Sequence, residues 1–97
     1  MTIRQFQQAI GETYLEKDSS RGIFASFGWL VEEVGELAGA LRNGGHGELA
    51  HEFADCLAWL ASLANMTGVD LEDAAGRYAS GCPRCNRSPC ECVDGTH

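Results

Sequence analysis

No stretch of this sequence stays apolar long enough to form a signal peptide or a membrane span, so it reads as a cytoplasmic chain that makes no membrane contact. Basic residues are scarce: 7 Lys and Arg stand against 14 Asp and Glu, a formal net charge of −7. That balance excludes a nucleic-acid polymer as partner, because polymer phosphate is held by Lys and Arg. A small anionic ligand arriving with its own metal ion stays compatible, since the metal reverses the local sign. Internal repeats and low-complexity segments are missing, and the alternating patterns of strands are weak. With 97 residues the chain makes one small domain. Its core is modest enough that partner subunits or a staple would help it. In a reducing compartment its 5 cysteines are expected as thiols or metal ligands, not as disulfides.

What is present is helical periodicity, which predicts four helices. The first covers residues 2–16, opened by a capping box of Thr2 and Gln5, with Ile3, Phe6, Ile10 and Tyr14 on its apolar side. Residues 17–22 form a polar break in which Asp18, Ser19 or Ser20 can cap the next helix. Further helices cover residues 23–42 and 48–65, joined by the helix-stopping Asn43-Gly44-Gly45-His46-Gly47. Gly68 closes the third, and Asp70 with Asp73 opens a fourth over residues 70–79.

The second and third helices carry the chemistry. In Leu30-Val31-Glu32-Glu33-Val34-Gly35-Glu36-Leu37 the three acids fall within about 100° of one another around the axis. Leu30, Val34, Leu37 and Leu41 take the other side. Glu48, Glu52, Asp55 and Trp59 make one stripe of the third helix, and Leu49, Phe53, Leu57, Leu60 and Ala64 another. A short loop makes the two helices antiparallel, which brings Glu36 level with Glu52 and Glu33 level with Asp55 at about 1.5 Å per residue. Carboxylates that close destabilise a fold or raise a pKa unless a cation sits between them. All-oxygen ligands on rigid helices suit a hard ion, Mg²⁺ or Mn²⁺.

The pairing of Glu32-Glu33-x-x-Glu36 with Glu52-x-x-Asp55 resembles that of the MazG-type, all-α nucleoside triphosphate pyrophosphohydrolases. Leu63-Ala64-Asn65 followed by Gly68-Val69-Asp70-Leu71 adds to the likeness, which spans roughly residues 20–80. The resemblance implies a four-helix bundle that forms dimers or pairs them into tetramers. It also implies Mg²⁺ at the acid cluster and cleavage of a (deoxy)nucleoside triphosphate to monophosphate and pyrophosphate. By match to the family motif, Glu33, Glu36, Glu52 and Asp55 are the expected metal ligands. Glu32 and Glu33 are the expected catalytic acids, one of them placed to take a proton from water. Trp59 stands where relatives often place an aromatic that meets the nucleobase; core or dimer interface is the equal alternative. Many relatives carry a phosphate-binding lysine where this chain has Tyr78, which leaves Arg77, Lys17, Arg21 and Arg42 as candidates.

The tail has a different composition, so the chain divides into a helical domain of residues 1–80 and a Cys-rich tail of residues 81–97. Cys82-Pro83-Arg84-Cys85 and Cys90-Glu91-Cys92 supply the number of thiols that a closed Zn²⁺ site needs. A reduced flexible tail and a redox device are the alternatives, while Cys56 lies on the apolar side of its helix. Rival functions remain open. Phosphoribosyl-ATP pyrophosphohydrolase shares the acid pattern. Glu48-Leu49-Ala50-His51 matches half of a di-iron carboxylate motif. A non-catalytic nucleotide-binding dimer is the third.

Overall fold

The computed structural model describes residues 1–93, so positions 94–97 of the expected tail lie outside it. Among the described residues there are helices and turns and no strand. Helix α1 (Ile3–Arg21) starts as expected: the Thr2 hydroxyl accepts the Gln5 amide at 3.0 Å, and Gln5 Oε1 accepts the Thr2 amide at 2.8 Å. It does not stop at residue 16. Instead of capping a second helix, Asp18 is buried and takes the Arg21 guanidinium at 2.8 Å. The expected break therefore stays helical until Gly22, at φ 96°.

Helices α2 (Ile23–Asn43) and α3 (His46–Thr67) are separated by only Gly44 and Gly45, a tighter hairpin than the expected loop. Two residues leave no room to turn other than antiparallel, and the pair forms the most extensive contact in the molecule. Gly44 is required there, because a Cβ would sit 2.8 Å from the Ala40 carbonyl oxygen and 2.9 Å from its Cα. Gly68 ends α3 in the left-handed conformation, φ 74°. Asp70 then caps α4 (Leu71–Ala75), its carboxylate accepting the Asp73 amide at 2.9 Å. This last helix is shorter than expected. It tightens into a 3₁₀ turn, Gly76–Tyr78, where glycine, a poor helix former, enters.

A polar knot fastens α1 across the end of α3. Buried Gln7 donates to Asn65 Oδ1 at 3.1 Å and to the Val69 carbonyl at 2.7 Å, and accepts the Leu71 amide at 2.8 Å. Arg4 adds ion pairs to Asp70, Glu72 and Asp73 at 2.9, 2.8 and 2.8 Å. The hydrogen bond from Arg4 holds the Asp70 carboxyl below its usual range.

The buried centre is made of small residues, Ser26, Ala40, Ala61, Ser62 and Ala64, with Leu30. Small side chains let α1 and α2 approach α3 closely, but they cover little. Much of the expected apolar stripe faces outward: Leu41 is 62% exposed, Phe53 54% and Val34 51%, and Phe24, outside that stripe, is 89% exposed. The chain exposes 6872 Å², against about 5,400 Å² for a compact monomer of this mass. Its radius of gyration is 15.6 Å, where about 12.5 Å is usual for this length. No helix among the described residues is long and apolar enough to cross a membrane.

Candidate active site

Glu33, from the middle of α2, meets Glu52 and Asp55, which stand nearly one turn apart on α3. Its carboxyl is held above the usual range. Loss of water is the main cause, followed by a shared hydrogen bond with Glu52 and the charges of Asp55 and Glu52. Glu52 Oε2 is buried and meets no hydrogen-bond donor among the described residues. A buried carboxylate oxygen without a donor is costly, and acids crowding it make it more so. The field reaches Cys56, whose thiol is pushed up first by burial and then by Glu33, Glu52 and Asp55. Asp55 is met by His51, Nε2 to Oδ2 at 3.2 Å, one turn earlier on the same helix. His51, Glu52 and Asp55 each present a ligand atom within 4.8 Å of the others. Glu36 comes one turn after Glu33 and is exposed, as is Glu32 beside it.

A cavity of about 210 Å³ adjoins the cluster at Asp55. Helix α1 gives it Tyr14, Lys17, Asp18 and Arg21, and α3 gives it Asp55 and Trp59. Trp59 stacks on Trp29 of α2, with ring centroids 6.2 Å apart and planes 10° from parallel. The Arg21 guanidinium lies 5.0 Å from the Trp59 ring centroid, a cation–π contact, and its ion pair with buried Asp18 fixes its direction. Lys17, Arg21 and Trp59 therefore line one cavity with Asp55. Arg77 does not line it; its guanidinium lies 5.4 Å from the ring centroid of neighbouring Tyr78.

Sequence reasoning did not find Asp18, buried at the cavity, or the pairing of His51 with Asp55. Both partnerships have helical spacings, i,i+3 and i,i+4, that could have raised them. The Glu48-x-x-His51 pair separates: the Glu48 carboxylate folds back toward Gly44, and His51 turns to Asp55. Outside the bundle, Cys82, Cys85, Cys90 and Cys92 converge, every Sγ within 4.8 Å of the others.

The sequence profile of the MazG nucleotide pyrophosphohydrolase domain matches residues 25–84, which takes in both acid motifs, Trp59 and the first of the tail cysteines, Cys82. No curated protein matches the chain. With the profile covering more than half the sequence, and an all-helical fold that turns Glu33 of one motif onto Glu52 and Asp55 of the other, the chain belongs to the MazG nucleotide pyrophosphohydrolase domain family.

Proposed function

We propose that this protein is a nucleoside triphosphate pyrophosphohydrolase, dependent on Mg²⁺ or Mn²⁺. It converts a (deoxy)nucleoside triphosphate to the monophosphate and pyrophosphate, in house-cleaning of non-standard nucleotides. The observation that carries the reading is the donorless Glu52 Oε2, buried against Glu33 and Asp55. A hard divalent cation is what an all-oxygen cluster with unmet negative charge fits. Glu33, Glu36, Glu52 and Asp55 would hold it, and residues 1–80 form the catalytic domain. When bound, the ion neutralises phosphate oxygens and acidifies water.

The remaining roles belong to side chains around the cavity. Lys17 and Arg21 oppose the negative charge of the triphosphate at a site whose chain is otherwise acidic. Trp59, already propped by Trp29, offers a rigid ring for the base to stack on. One of Glu32 and Glu33 takes the proton of the attacking water. The cavity of about 210 Å³ is smaller than the roughly 300–1,000 Å³ of complete ligand pockets. Together with the outward apolar stripe, that supports a homodimer, or a pair of dimers, in which a second copy completes the site. The excess exposed surface, about 1,500 Å² per chain by the scaling of compact monomers, suits an obligate interface.

A panel of standard and damaged nucleoside triphosphates, assayed for pyrophosphate with and without Mg²⁺, tests the proposal. Mg²⁺-dependent pyrophosphate release, abolished in Glu36→Gln and in Asp55→Asn while helical content is kept, is the expected result. Full turnover by either variant, or release of orthophosphate alone, refutes it. Phosphoribosyl-ATP belongs in the panel as the competing substrate.

A further inference from the structure

The tail after the 3₁₀ turn has no regular secondary structure, and among residues 80–93 only Cys82 is buried. An apolar core cannot order it. Its backbone is nonetheless folded into a defined loop. The Cys82 amide donates to the Arg87 carbonyl at 3.0 Å, and the Asn86 amide donates to the Cys82 carbonyl at 2.7 Å. Asn86 takes φ 59° and Gly81 φ 108°; at Gly81 a Cβ would stand 2.9 Å from the Arg87 carbonyl oxygen. The loop turns its thiols inward upon one another.

We propose that Cys82, Cys85, Cys90 and Cys92 form a closed, structural Zn²⁺ site. The sulfur spacing is the first support. A tetrahedral ion with Zn–S of about 2.3 Å requires S···S of about 3.8 Å. Cys82 and Cys92 are 3.8 Å apart and Cys85 and Cys90 3.9 Å. A disulfide would need about 2.05 Å. The second support is the amide shell. Backbone N–H groups of Cys85 and Arg84 point at Cys82 Sγ. The Glu91 amide donates to Cys85 Sγ at 3.4 Å, and the Cys92 amide to Cys90 Sγ at 3.3 Å. Amide donors on sulfur orient thiolate ligands and spread their charge.

Four soft ligands leave no open position for water or substrate, so the ion orders the tail and takes no part in chemistry. The site stands or falls independently of the hydrolase reading, since none of its ligands lies at the acid cluster.

Metal analysis of the full-length protein, purified without chelators, should find about one zinc per chain. Replacement by Co²⁺ should give the intense visible absorption of a tetrahedral tetrathiolate. The double variant Cys82→Ser/Cys85→Ser should lose the metal, and Cys56→Ser should keep it. Trypsin should cut after Arg84 and Arg87 in the parent only once zinc has been removed. No zinc in the parent, iron in its place, disulfides among the four thiols, or undiminished zinc in the double variant would each overturn the proposal.

Discussion

Two clusters of ligand-type residues lie in one short chain, and they are built in opposite ways. At the acid cluster, the helix repeat and a two-residue hairpin hold Glu33 against Glu52 and Asp55, so the carboxylates are forced together whether or not a cation is present. At the thiol cluster no helix contributes; turns, amide donors and two left-handed residues bring the sulfurs to metal-ligand spacing. The first is a strained site on a rigid scaffold, with one side open to a cavity. The second has its four thiols turned on one another. A fold can store electrostatic strain only where something else holds the backbone, which is why the open cluster lies between helices and the closed one in the tail.

The largest effect that would break this division is a crossed loss of function. Glu36→Gln or Asp55→Asn should lower turnover by well over about a hundredfold, since changes even one shell further out cost about 10- to 100-fold. Tail zinc should be unchanged in both. Equal losses of zinc and turnover in one variant, measured by metal analysis and pyrophosphate release, would merge the clusters into one site. Next in size, Trp59→Ala should raise KM by roughly 5- to 150-fold, the equivalent of about 1–3 kcal/mol of base stacking, with zinc again unaffected. An unaltered KM in steady-state kinetics would leave Trp59 as packing alone.

The smallest effect concerns strain itself. A carboxyl whose pKa is raised on folding holds its proton more tightly in the folded state. Its contribution is complete below the ordinary value of 4.5 and is lost as the pH rises toward the raised one. The metal-free protein should therefore lose stability across that window, seen as a lower melting midpoint. Mg²⁺ should restore it at neutral pH. Glu33→Gln should flatten the pH dependence and raise the metal-free midpoint while lowering turnover. A flat profile in the parent, measured by thermal unfolding, would mean the acids are not in conflict.

How legible each part was depends on the range of the forces that made it. The acid stripes come from helical period and loop length, both local; Glu33 meets Asp55 as expected, and meets Glu52 too, the acid expected level with Glu36. The capping box at Thr2 and the left-handed stop at Gly68 are likewise written in a few consecutive residues. The end of α1 was not legible, because Asp18 and its serine neighbours read as a cap until burial and Arg21 decide otherwise. Nothing local marks Gln7 as a buried residue; its partners Asn65, Val69 and Leu71 lie about sixty residues away. The stripe of Val34, Leu41 and Phe53 has helical period in the sequence, yet among the described residues no helix covers it.

The most direct test of the central claim is Mn²⁺ binding to metal-free protein, measured by calorimetry or by the spin resonance of free Mn²⁺, in the parent and in Glu52→Gln. Saturable binding in the parent, weakened at least tenfold when that half-buried carboxylate becomes an amide, is the expected result. Identical binding in the two proteins, or none in the parent, would contradict a cation site between α2 and α3.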